Sequence, residues 1–206
     1  MRVHRCRREV RAAREQAEAL VALSDQRGFA QWVAGGTMMC GWALTVQGQE
    51  GEGMAQIHHG LTAWRAMGIE AGLPYWLTML AEAYRSTGQV EAGMRVLADA
   101  LALVDTTEER WWAAELHRLK GELLLALSTD NAAEAEPCFH QALDIASRQQ
   151  AKSLELRAAT SLSRLWQRQD KHAEARQLLA PIYSWFTEGF DTVDLQEART
   201  LLEALS

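Results

Sequence analysis

Residues 73–105, LPYWLTMLAEAYRSTGQVEAGMRVLADALALVD, decide the fold. Leu77, Leu80, Ala81 and Tyr84 recur at the spacing of one helix face. Val90, Gly93, Met94, Leu97, Ala98 and Leu101 repeat that pattern after a break at Ser86-Thr87-Gly88. The stretch reads as two amphipathic helices joined by a tight turn. Each helix carries one apolar stripe, and a lone hairpin cannot bury both, so the unit requires packed neighbours.

The same punctuation recurs on both sides of this hairpin. Ala81, the small residue that lets the first helix approach its partner, has counterparts at Gly41, Gly121 and Ser163, in steps of 40, 40 and 42 residues. Gly93, the small residue early in the second helix, is matched by Ala13, Gly53, Ala135 and Ala175. The larger apolar residue after it, Leu97, is matched by Ala17, Ile57, Phe139 and Leu179. Self-similarity at a fixed period marks a repeat array.

A small residue, an aromatic three positions later, a turn glycine, then Ala and a bulky residue on a second helix resembles the tetratricopeptide (TPR) repeat. The match rests on Leu80, Ala81, Tyr84, Gly88, Gly93, Leu97 and Ala100. The resemblance implies an all-α, right-handed superhelical solenoid of antiparallel helix hairpins. Its period of about 40 residues is longer than the usual figure of about 34, which means longer helices. The segments ERWWAAELHRLKGELLL at 109–125, AKSLELRAA at 151–159 and WFTEGFDT at 185–192 are similar to the C-terminal helical region of large bacterial proteins. In those proteins a class III adenylate or guanylate cyclase domain and a P-loop ATPase module precede such repeats. The resemblance spans nearly the whole chain and brings no catalytic motif with it.

Composition fits a folded, water-exposed protein: 48% of the 206 residues are hydrophobic and 23% charged. No apolar run approaches the roughly 18 residues that a membrane span needs, and no signal-peptide core is present. A cytoplasmic location is expected. Cys6, Cys40 and Cys138 are an odd number in unrelated repeats, so buried reduced thiols are expected rather than a disulfide framework.

The net charge of −6 is unevenly spread. Residues 1–14 carry six arginines (Arg2, Arg5, Arg7, Arg8, Arg11 and Arg14) against one acid, Glu9. A basic arm for nucleic acid or membrane is one reading of this. With no aromatic residue interleaved for base stacking, a solvated helix face, or an end that meets an upstream domain, is the better one. Neither nucleic acid nor membrane is an expected partner.

The expected organisation is a single repeat domain over 1–206. It begins with an orphan helix at 5–27, which by phase is the second half of a hairpin, so the array starts mid-repeat and suggests a fragment or relative of something longer. Hairpins follow at 30–68, 73–105, 108–149 and 152–188, and 191–206 form a capping helix of the kind solenoid ends require. Thr106-Thr107-Glu108-Glu109 has capping-box spacing and places a helix start near Glu108. Pro137 implies either a helix start near Glu136 or a bend, and Pro181 a kink.

The search for chemistry returns absences. The sequence lacks G-x-x-x-x-G-K-[ST], G-x-G-x-x-G, H-E-x-x-H and G-x-S-x-G. His58-His59 point to different sides of a helix with no ligand one turn away. Cys40, beside Gly41, reads as a core thiol rather than a nucleophile. Neither enzyme activity, a cofactor nor a metal is expected.

The resemblance does imply a recognition surface. In TPR-like arrays the first helix of each hairpin lines a concave face, with exposed residues beside the small residue and one turn to either side. Transferred position by position, these are Met38, Trp42 and Thr45; Tyr75, Thr78, Glu82 and Arg85; Glu115, Arg118 and Glu122; and Arg157, Thr160, Arg164 and Arg168. The face would grade from aromatic, through mixed charge, to basic. Arginines fork onto carboxylates, so an acidic peptide is an expected guest. The alternative is that these charges pair with one another, Glu82 with Arg118 or Glu122 with Arg164. The asparagine and lysine set with which TPR proteins clamp a C-terminal carboxylate is not recognisable. Of eight tryptophans most should be core; Trp42 and Trp76, off the stripe, would mark a partner or homo-oligomer patch if exposed together. The expected function is a non-catalytic protein-interaction or regulatory module of a larger signalling protein. The alternative is a sensor that binds a small effector and relays it to ATPase and cyclase modules.

Overall fold

The computed structural model describes all 206 residues and is built from helices, without a strand. In chain order they are α1 (Arg2–Cys6), α2 (Val10–Gln26), α3 (Ala30–Val46), α4 (Glu50–Ala66), α5 (Leu73–Ser86), α6 (Val90–Thr107), α7 (Ala113–Leu127), α8 (Ala132–Arg148), α9 (Lys152–Arg168), α10 (His172–Ser184) and α11 (Val193–Ala204). The chain forms two compact units, Met1–Glu109 and Arg110–Ser206. In the first, α3 pairs with α4 and α5 with α6; in the second, α7 pairs with α8 and α9 with α10. No helix is long and apolar enough to cross a membrane.

The hairpin register follows a finer rule than the 40-residue period. A residue at positive φ ends a helix at Arg8, Gly28, Gly48, Gly68, Gly88 and Glu108, every 20 residues, and again at Gln150 and Asp170. Left-handed residues at helix ends satisfy free carbonyls, and glycine takes this conformation at least cost. The array slips by two residues where a 3-10 turn, Thr129–Asn131, leads into α8. That slip is the extra two residues in the last period step.

The repeated small residues sit where hairpin helices cross. A Cβ on Gly41 would lie 2.5 Å from the Gly53 carbonyl oxygen, and one on Gly53 would lie 2.6 Å from that of Gly41. In the last hairpin the Ser163 hydroxyl donates to the Ala175 carbonyl at 3.1 Å. The bulky positions that follow, Ile57, Leu97, Phe139 and Leu179, are all buried. Each such side chain contributes on the order of 2 kcal/mol of burial. Helix α11 closes the second unit by placing Leu195, Ala198 and Leu201, with Leu205 just after it, against Leu156, Ala159, Ala175 and Leu179.

Three elements differ from the sequence expectation. The orphan N-terminal helix is two, because Arg8 adopts φ 57° and separates α1 from α2; a left-handed arginine leaves no glycine to announce it. The helix expected from Glu108 starts at Ala113. The Thr106 and Thr107 hydroxyls are instead turned back onto α6, each donating to Leu103 O, at 3.1 and 2.7 Å. Glu109 accepts the Gly72 backbone N–H with both carboxylate oxygens, at 3.0 and 2.7 Å. Finally, of the alternatives at Pro137 the start near Glu136 is not taken: α8 starts at Ala132, directly after Asn131, and runs through Pro137.

Candidate functional site

The first helices of the hairpins, α3, α5, α7 and α9, carry every residue expected to recognise a partner. Many of these residues are covered. In the first unit Met38, Trp42, Thr45, Tyr75 and Thr78 are buried, Glu82 is half-buried and Arg85 is exposed. The expectation that this face is open is therefore corrected for most of it: Met38 and Thr45 pack toward Gly60 and Gly53 of α4, and α1 lies on Trp42, Tyr75 and Thr78.

Arg5 is the one buried residue of α1, at 4% exposure. Its guanidinium donates to Glu82 Oε2 at 3.0 Å and to Thr78 Oγ1 at 3.4 Å. It lies 4.8 Å from the Tyr75 ring centroid and 5.6 Å from that of Trp42. Trp42 Nε1 donates to the same Glu82 oxygen at 3.2 Å. Trp42 and Glu82 hold equivalent positions, 40 residues apart in successive first helices. One turn earlier on α1, Arg2 lies 5.2 Å from the Tyr75 ring and 5.1 Å from the Trp76 ring. Two cations thus rest on three aromatic faces beside one carboxylate, where cation–π attraction and a charge-assisted hydrogen bond act together. Burial pushes the Tyr75 hydroxyl pKa up, with the Arg5 charge opposing, so Tyr75 stays a phenol.

In the second unit the charges pair along a line across α7, α9 and α11. Arg118 grips buried Glu115 with two hydrogen bonds, 2.9 and 2.7 Å, and also pairs with Glu122. Glu122 accepts the Ser161 hydroxyl at 3.0 Å. Arg157 lies 3.6 Å from Glu115 and donates to Asp194 at 2.7 Å. Arg164 pairs with Glu197 at 2.8 Å, not with Glu122, and Arg168 is exposed. Pairing within the face was the alternative reading of these charges. The partners differ from those it named, because α11 supplies Asp194 and Glu197 and α1 takes Glu82.

The sequence reading missed Arg2, Arg5, Asp194 and Glu197. The arginines stand three apart, the spacing of one helix face, which is the signal that could have marked them as acting together. Trp42 and Trp76 are buried, at 5% and 1% exposure, so they form no surface patch. Trp32, Trp111 and Trp185 are the exposed tryptophans. No disulfide joins the three cysteines, and burial raises the Cys40 pKa to about 11. A cleft of about 260 Å³ lies between α2, α3 and α4, lined by Asp25, Phe29, Val33, Thr37 and His59 among others.

No family model matches the chain. It is 30% identical over 128 residues to an uncharacterized protein of Rhizobium meliloti (strain 1021), a match that covers 62% of the chain and 12% of that relative's length. Its fold is similar to the crystal structure of BtubC (BKLC) from P. vanneervenii, with TM-score 0.68 and 13% identity over 100% of this chain and 90% of that one. It is also similar to TPR-like repeats assigned to a kinesin light chain of Podosopora anserina. Their crystal structure gives TM-score 0.57 and 17% identity over 98% of this chain and 92% of that one. The fold is therefore TPR-like.

Proposed function

We propose that this chain is a non-catalytic protein-interaction module that reads its partners with the faces of α3, α5, α7 and α9. The observation that carries this is the docking of α1: a short arginine-bearing segment already sits on α3 and α5 through side chains that hairpin packing does not use. TPR-like neighbours support the same reading. The match to 12% of a longer relative supports placing such repeats within a larger protein, for which we propose a signalling role next to ATPase and cyclase modules. On the second unit an acidic segment is the proposed guest; it would meet Arg168 and compete with Glu197 for Arg164. The small-effector sensor is the less favoured reading, since the residues that line the 260 Å³ cleft include none of those expected to recognise a partner.

A photo-reactive amino acid placed at Arg85 or Arg168, both exposed on first helices, should crosslink partner protein. The same probe at Arg95 or Arg176, exposed on second helices, should not. Equal capture from both faces, or turnover of nucleoside triphosphate by the purified chain, would overturn the reading.

A further inference from the structure

The first unit holds a site whose chemistry is specific enough to name its ligand. Glu82 Oε2 takes two donors, Arg5 and Trp42, at 3.0 and 3.2 Å. Thr78 accepts from Arg5 while donating its own proton to the Tyr75 carbonyl at 2.6 Å, so its oxygen is turned toward a donor. Tyr75 and Trp76 meet edge to face, with centroids 5.0 Å apart, and offer their faces to the second cation, Arg2. A planar, always-charged guanidinium suits such a site better than an ammonium, because it stacks on rings and donates in its plane at once.

The present occupant buries little of itself. Helix α1 is five residues long and buries one of them, Arg5, while Val3 is 68% exposed. A helix this short has no stability of its own. Glu9 ties its far side to the chain through His4 and Arg7, each at 2.6 Å, while its hold on the α3–α5 face runs through Arg2 and Arg5, groups that another chain can supply as well. The charge balance favours this, since the body that surrounds the site is acidic and the site itself ends on a carboxylate.

We propose that the α3–α5 face is a docking site for a helical partner segment with two arginines three residues apart, and that Arg2 and Arg5 hold it in the resting chain as a displaceable internal mimic. One arginine enters between Trp42 and Tyr75 to reach Glu82, and the other lies on Tyr75 and Trp76. This rests on reading the first-helix faces as the binding surface, and it reverses, for this unit, the acidic guest proposed for the other.

The test uses the full chain with Arg2→Ala and Arg5→Ala, which empties the site, and the synthetic peptide MRVHRCRRE, whose sequence is that of residues 1–9. Binding is read from tryptophan fluorescence, since Trp42 and Trp76 line the site. The emptied chain should bind the peptide at least tenfold more tightly than the unaltered chain. A peptide with alanine in place of both arginines should lose that binding, and Glu82→Gln in the emptied chain should weaken it at least fivefold. No binding to the emptied chain overturns the proposal. Binding that ignores Glu82 or the two arginines also overturns it, as that is only attraction of a basic peptide to an acidic protein. If the double variant does not fold, Arg5→Gln, neutral and of similar length, replaces it under the same criteria. Either failure leaves the interaction-module reading to the crosslinking experiment, which probes Arg85 and Arg168 independently.

Discussion

Arg5 donates to Glu82 at 3.0 Å with its own side chain 3% exposed and that of Glu82 24% exposed. Breaking a buried ion pair by removing one partner commonly costs about 3–5 kcal/mol, because a charge is left buried and unpaired. Here that cost has an escape route. Helix α1 is five residues long and can leave the face, so the penalty is capped by the free energy of undocking. Arg5→Ala and Glu82→Ala should therefore share one phenotype: release of α1 with little change in melting temperature. Trypsin cleavage after Arg7 and Arg8 should accelerate in both. A large fall in melting temperature without faster cleavage would show that α1 belongs to the cooperative core.

Two glycines of one hairpin should respond in opposite directions. A Cβ on Gly41 meets Gly53 O at 2.5 Å and the Ile57 backbone nitrogen at 2.8 Å, neither of which can swing aside. Gly41→Ala should destabilise the chain by about 1–3 kcal/mol, the range for overpacking. Gly51, in the first turn of α4, has nothing within 4 Å of an added Cβ, so Gly51→Ala should stabilise by up to about 1 kcal/mol through helix propensity. Chemical denaturation measures both.

The ion pairs of the second unit should rank by burial. Glu115, 2% exposed, is held by Arg118, which is 13% exposed, with Arg157 alongside. Glu115→Ala should cost about 1–3 kcal/mol; the loss is moderated because Arg118 keeps Glu122 and Arg157 keeps Asp194. Arg164 and Glu197 are 42% and 32% exposed, and Arg164→Ala should cost less than about 1 kcal/mol, as surface pairs do. The salt dependence should be ordered the opposite way, with the exposed pair the more sensitive.

Cys40 should be slow to alkylate. Burial raises its pKa from 9.0 to about 11, with Glu18 adding to the shift. The folded state holds the proton more tightly, so at pH 8 the thiolate is roughly a hundredfold scarcer than for an unshifted thiol. Alkylation of the folded chain at Cys40 should keep rising as pH passes 9 and level off only near 11. The same sign applies to stability: the contribution is fully present below pH 9 and is lost as pH rises through 11.

Alone, the sequence determined the repeated hairpin. Helical spacing in residues 73–105, the small residues from Gly41 to Ser163 and the bulky ones from Ile57 to Leu179 are each fixed by what must fit between two crossing helices. These are contacts within a repeat, so they recur at its period and are legible as a pattern. A helix end marked by glycine, such as the one at Gly88, was legible too. Ends where Arg8 and Glu108 take the left-handed conformation were not, since the residue type does not announce it.

The tertiary structure alone decided what covers the faces that the pattern leaves free. Periodicity says that Tyr75, Thr78 and Glu82 are off the packing stripe, yet it does not say which other element reaches them. A long arginine side chain on a separate short helix buries Tyr75 and Thr78 and pairs with Glu82. Asp194 and Glu197, on the closing helix, likewise meet Arg157 and Arg164. Such contacts join residues 33 to 77 positions apart. They obey charge and reach rather than the repeat period, which is why they emerge only once the helices are stacked.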